Sequence, residues 1–155
     1  MRILRLVSGG QTGADRAALD VAIELGIDYG GWCPAGGWAE DFPSPPGLLE
    51  HYPKLREADS ADPDVRTRLN VMDSDATLIV RQFVGASPGS DLTLQIAQEM
   101  QRPVLVTDGD AGVLVAWLGE LGDALTLNVA GPRESTQPGS YERTRRLLLK
   151  VLPIL

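Results

Sequence analysis

The feature that most limits what this chain can become is a junction near its start. Residues 3–7, Ile-Leu-Arg-Leu-Val, form a short apolar run, and Ser8-Gly9-Gly10-Gln11-Thr12-Gly13 follows at once. Ala17, Ala18, Val21, Ala22 and Leu25 then recur at helical spacing as far as Gly26, a residue type that commonly ends a helix. A buried strand that passes through a glycine-rich turn into a helix is the opening unit of an α/β sheet.

The rest of the chain repeats that alternation. Strands are expected at 29–33, 76–80, 103–107 and 124–129, and helices at 15–25, 64–72, 92–100, 111–121 and 141–152. Each strand is mostly apolar, as strands covered on both faces are. Right-handed crossovers then give a doubly wound, mostly parallel, Rossmann-like sheet with helices on both faces. An order of 2-1-3-4-5, or a related one, would put the 81–92 loop beside the glycine loop. Residues 34–63 break the pattern. Six prolines and three glycines make this stretch too long for a silent connector, and Trp32 and Trp38 beside it favour an ordered lid or wall over disorder. A single domain is expected over residues 1–155.

Composition excludes several classes of function. The net charge of -7 does not attract nucleic acid, and the arginines of 141–152 fit the polar side of an ordinary amphipathic helix. No apolar run is long enough to span a bilayer, and no signal peptide precedes the glycine loop, so a cytoplasmic location is expected. One cysteine, Cys33, and one histidine, His51, cannot make a disulfide or a cysteine/histidine zinc site. A Cys33 thiolate could ligate a soft metal, although a lone cysteine is more often a small buried hydrophobe.

The glycine loop is the natural place for a ligand. Glycines let a ligand approach the backbone, and the free amides and dipole of a helix start favour an anion. Ser8 and Thr12 add hydroxyls, and Arg16 lies within reach. Two familiar motifs do not fit. A P-loop needs lysine after its last glycine, where this chain has Ala14-Asp15, and a dinucleotide fingerprint does not begin with adjacent glycines. The alternative is a tight turn that binds nothing.

The stretch Ser8-Gly9-Gly10-Gln11-Thr12-Gly13-Ala14-Asp15-Arg16-Ala17-Ala18-Leu19-Asp20 closely resembles the signature of the molybdenum carrier family. Further matches are Gly30-Gly31-Trp32-Cys33-Pro34, Ala39-Glu40-Asp41, the run from Asn70 to Thr77, and Asn128-Val129-Ala130-Gly131-Pro132-Arg133-Glu134-Ser135. They stand in the expected order and span most of the chain. The resemblance implies a Rossmann-like fold of the SLOG superfamily, some of whose members are circularly permuted and many of which bind nucleotides. It also implies a non-catalytic carrier of the molybdenum cofactor, molybdopterin, with molybdoenzymes or cofactor-synthesis proteins as partners and a homo-oligomer left open.

The superfamily also suggests a nucleotide-processing enzyme of phosphoribohydrolase type, or a sensor of nucleotides or ADP-ribose-type ligands. The cytokinin-activating branch carries Pro-Gly-Gly-x-Gly-Thr-x-x-Glu. Here Pro88-Gly89-Ser90-Asp91-Leu92-Thr93-Leu94-Gln95 stands in its place, without the glutamate a hydrolase would use.

The candidate ligand-binding residues are therefore Ser8, Gly9, Gly10, Gln11, Thr12, Gly13, Asp15 and Arg16 in the first loop, and Trp38 and Asp41 in the long one. Gly89, Ser90, Asp91 and Thr93 follow, then Gly131, Arg133 and Ser135. Several have plainer explanations. Ser90 or Asp91 would serve as an N-cap, Asp15 as a helix-start charge, Asp41 as a solvated loop acid, Arg133 with Glu134 as a surface pair, and the tryptophans as packing.

Overall fold

Five parallel strands run through the centre of the structure, a computed structural model that describes residues 2–155. They are β1 (Arg2–Val7), β2 (Asp28–Gly30), β5 (Ala76–Val80), β6 (Val104–Thr107) and β7 (Ala124–Ala130). Their order is β2-β1-β7-β5-β6. The register sets Leu6 beside Leu127 and Leu78 between Val129 and Leu105. Leu6, Leu78, Leu127 and Val129 are fully buried. Each such side chain stabilises the fold by about 1.5–3 kcal/mol relative to exposure.

Helices cover both faces. On one side α1 (Ala14–Leu25) packs against α6 (Ser140–Val151), and α6 against α5 (Ala111–Leu121). On the other, α3 (Pro63–Met72) packs against α4 (Pro88–Glu99) around Val71, Ile96 and Ala97. Local chemistry starts several of these helices. Asp62 caps α3 through the Asp64 amide, with Pro63 in the first turn, and Asp110 caps α5 through the Val113 amide. Among the described residues no helix is long and apolar enough to cross a membrane.

The strand expected at 29–33 divides in two. Its first half joins the main sheet as β2, the chain turns at Gly31, and β3 (Trp32–Cys33) pairs instead with β4 (Arg56–Glu57). Asn70 fixes that departure, accepting from the Trp32 amide at 2.7 Å and donating to the Trp32 carbonyl at 2.9 Å. The long segment between β3 and β4 is an ordered wall containing the short helix α2 (Leu48–His51). Leu48 and Leu55 are buried in the main core, and Tyr52 donates to Asp20 on α1.

The sheet order corrects the sequence expectation. The last strand, β7, lies between β1 and β5, so the loop after β7, not the 81–92 loop, is the neighbour of the glycine loop. Placing β7 and α6 at the front of the chain would turn the order into 3-2-1-4-5, the familiar doubly wound arrangement. The chain therefore follows a permuted path through an ordinary topology. β7 leads into α6 on one face and β5 into α4 on the other. The winding changes direction between these two strands, one strand away from the glycine loop, and a ligand crevice is expected there.

Candidate functional site

The crevice opens where β7 and β5 end. Gly131, the first residue past β7, passes so close to its neighbours that a Cβ there would lie 2.3 Å from the Val80 carbonyl oxygen and 2.6 Å from Ala14 Cβ. Glu134 then caps α6, its carboxylate accepting from the amides of Gly139 at 2.7 Å and Tyr141 at 2.9 Å. A surface pair with Arg133 is only the plainer of the two sequence readings of this stretch. Glu134 instead holds the loop that presents Arg133.

Across the crevice α4 begins at Pro88, earlier than expected, with Ser87 in the N-cap position. The Ser87 hydroxyl bonds the Ser90 hydroxyl at 2.6 Å and leaves the helix without a side-chain cap. Ser90 and Asp91 thus lie inside the first turn and are not the cap. Ser90 is buried, and Asp91 accepts from Arg81 at 2.9 Å. A Cβ on Gly89 would meet nothing within 4 Å, so the start of α4 faces open space. Its unpaired first-turn amides and the helix dipole favour an anion there.

These elements enclose a cavity of about 530 Å³. Of the candidates, Gln11, Asp15, Gly89, Thr93, Gly131, Arg133 and Ser135 line it. Arg66 and Thr67 of α3 complete the opposite wall. A second, apolar cleft of about 350 Å³ adjoins it, lined by Trp38, Pro43, Pro45 and Ala61 and sharing Pro63 and Arg133 with the first. The Arg133 guanidinium sits over the Trp38 ring, 5.3 Å from its centre. Trp32 lies elsewhere, under Arg56 and bonded to Asp73.

The glycine loop has a different arrangement from the open amides expected of it. The Gly10 amide donates to Ser8 Oγ at 3.0 Å, the Gln11 amide to Asp15 Oδ2 at 3.3 Å, and the Thr12 amide to Gln11 Oε1 at 3.0 Å. Three of the loop's amides are thus taken by acceptors from its own motif. Gly9 is backed by Arg66, Gly10 by Leu48, and Gly13 by the Pro132 carbonyl. The Thr12 hydroxyl donates to Glu40 and accepts from the Glu134 amide, tying three loops together. Ser135 also donates to Glu40, at 2.6 Å.

Arg16 and Asp41 form a clamp away from the cavity. The guanidinium makes two 2.8 Å bonds to the carboxylate, a third to the Gly10 carbonyl, and lies over Phe42. The Arg16 bonds hold Asp41 below the usual carboxylate range. Ser8, Gly10, Thr12, Gly13, Arg16, Ser90, Asp41 and Asp91 thus build the frame of the crevice rather than its lining.

Asp15 is 3% exposed, and burial pushes its carboxyl upward against the pull of Arg66, the Gln11 amide, Arg16 and Arg133. The nearest cation, Arg66 Nη1, is 3.6 Å from Asp15 Oδ2. Arg66 is the main residue that sequence reasoning missed. The helix at 64–72 is legible in the sequence, but nothing local shows that Arg66 turns inward against Gly9 and Asp15 while Arg68 stays exposed.

Cys33 is fully buried, and burial pushes its thiol up to about 11. Thiolate ligation is correspondingly disfavoured. Ellman's reagent at about pH 8 should leave Cys33 untouched in the native protein and titrate one thiol after denaturation. Rapid native reaction would contradict this placement.

The profile of the circularly permutated YpsA SLOG family matches residues 6–152. The chain belongs to that family. The permutation named in the family's description agrees with the order read from the sheet. A crystal structure named putative molybdenum carrier protein, from Syntrophus aciditrophicus, is similar over 97% of this chain and 94% of its own, at 39% identity and a TM-score of 0.85. The similarity confirms the Rossmann-like fold and the family resemblance carried by the motifs. No curated protein matches the chain.

Proposed function

We propose that this SLOG protein is a carrier that binds a phosphate-bearing small molecule with a planar ring, the molybdenum cofactor in the first place. The observation that carries the reading is the joined pair of cavities. One is polar, with Arg66, Arg133 and an uncapped helix start, and the other is apolar, with Trp38 and prolines. Charge-assisted bonds from arginine and backbone amides suit a phosphate, and an aromatic wall suits a pterin or a nucleobase. The volumes are those of pockets for small ligands. The family neighbour's name points to the same cargo. Molybdopterin brings its own dithiolene for the metal, so a buried Cys33 is no obstacle. Molybdoenzymes or cofactor-synthesis proteins are its partners on this reading.

A carrier fits better than a hydrolase. On α4, Gln95 is exposed and donates to Glu99, while Ile96 is buried in the core, so neither position offers a carboxylate to the crevice. The ring-and-phosphate chemistry also suits a nucleotide, which keeps a nucleotide sensor as the second reading.

Protein purified from a cofactor-producing host, then acid-oxidised, should release a fluorescent pterin. Neither retained pterin nor uptake in vitro would overturn the carrier reading, and stabilisation by nucleotides alone in a thermal-shift panel would favour the second. Binding should also quench tryptophan fluorescence through Trp38, and Trp38→Phe should remove most of that change while Trp32 and Trp117 remain. A full signal in the variant would take the ring out of the apolar cleft.

A further inference from the structure

The polar cavity places an acid among its cations. Asp15 Oδ2 accepts from the Gln11 amide, whereas Oδ1 has no hydrogen-bond donor among the described residues. Beneath the cavity lies a recess of about 10 Å³ that Asp15 shares with Arg66, Asn70, Thr93 and Asn128. The charged groups that face Asp15 are Arg66 from α3, Arg133 from the loop after β7 and Arg16 from its own helix. α4 and β7 contribute only the neutral Thr93 and Asn128 there. Arg66 Nε is buried without an acceptor.

A doubly charged anion entering this space meets two arginines, the buried carboxylate of Asp15 and the exposed carboxylate of Asp64 at the start of α3. The arginines attract it. The ionised Asp15 carboxylate repels it and competes for the Arg66 guanidinium. A proton on Asp15 removes that repulsion, frees Arg66 for the anion and turns the acid into a donor.

We propose that Asp15 makes anion binding in this cavity proton-linked, one proton being taken up by its carboxyl as a dianion enters. The inference rests on the reading of the cavity as an anion site. Linkage fixes the sign. An anion that makes Asp15 hold its proton more tightly is itself held more tightly by the protonated protein, so affinity rises as pH falls. The burial that raises the carboxyl of the free protein moves the pH window of this linkage upward.

Sulfate is the probe, because it keeps its double charge between about pH 5 and pH 9 and any proton taken up belongs to the protein. Calorimetric titration in two buffers of different ionisation enthalpy should show uptake approaching one proton per sulfate bound. Affinity should fall by up to about tenfold per pH unit above the titration of Asp15. Asp15→Asn keeps an acceptor for the Gln11 amide and gains a donor. It should bind sulfate with flat pH dependence and no proton uptake. Wild-type binding without proton uptake, or unchanged uptake in Asp15→Asn, overturns the linkage and leaves the anion site standing. No sulfate binding at any pH overturns the anion site, and the linkage with it.

Discussion

Replacing Arg66 by glutamine is expected to weaken binding of a phosphate-bearing probe, such as a nucleoside monophosphate, by about 30- to 100-fold, or roughly 2–3 kcal/mol. Arg66 lines the polar cavity, is 13% exposed at its side chain, and has a buried Nε without an acceptor. A phosphate would accept from it in a charge-assisted, forked geometry that glutamine cannot copy. The fold should survive. Asp15 loses its nearest cation, but a buried carboxyl left so answers by holding its proton rather than by staying ionised. Arg16→Gln is the informative contrast, because Arg16 clamps Asp41 and not the cavity. That change should lower Tm, since it loosens the wall on α1, and shift affinity far less. Titration calorimetry and thermal melts of both variants decide the matter. Near-normal affinity in Arg66→Gln together with loss in Arg16→Gln would return the anion to the glycine loop.

The contrast between those two arginines measures what the sequence discloses. Arg16 sits within the motif that bears the family resemblance, and a reader of the sequence selects it. Arg66 sits in a helix that the sequence shows but outside every motif, and it reaches the cavity only because α3 packs against α4 and β3. Local signals were sound. The apolar runs at β1 and β5, the helix at 111–121 and the ordered long segment are all present in the structure. These depend on spacing, capping and burial, which neighbours in sequence decide. Strand order depends on pairings between residues far apart, such as Leu6 with Leu127, and no local pattern encodes them. The permuted position of β7 was therefore written in no local pattern, although the family resemblance raised permutation and candidates from the loops after β5 and β7 do line the crevice.

The state of the glycine loop was partly legible. A loop that carries Ser8, Gln11 and Asp15 holds three acceptors for its own amides, and these take them. A glycine pattern reports that the backbone turns tightly and comes close to something. It does not report whether that neighbour is a ligand or the protein itself. At Gly9, Gly10 and Gly13 the neighbours are Arg66, Leu48 and Pro132.

That distinction yields the largest stability effect expected here. Gly13→Ala should cost about 4 kcal/mol, which in a chain of this length lowers Tm by about 12 °C. Two causes combine. Gly13 has φ 82 and ψ -133, a region that only glycine enters readily, and strain there costs about 1–3 kcal/mol. The added Cβ would also lie 2.2 Å from the Pro132 carbonyl oxygen and 3.0 Å from the Glu134 amide nitrogen, both rigid backbone. Gly26 separates the two causes. It too has positive φ, 69, but a Cβ there meets nothing within 4 Å, so Gly26→Ala should cost only about 1 kcal/mol. Urea denaturation of the pair, with m-values compared, gives the difference directly. The Gly13 contact seats the glycine loop against the loop after β7, and that seating brings Asp15 and Arg133 to one cavity. A Gly13→Ala protein that is folded at low denaturant should therefore also bind the probe more weakly. Equal costs at the two glycines would mean that the loops are not pressed together, and the cavity built between them would lose its floor.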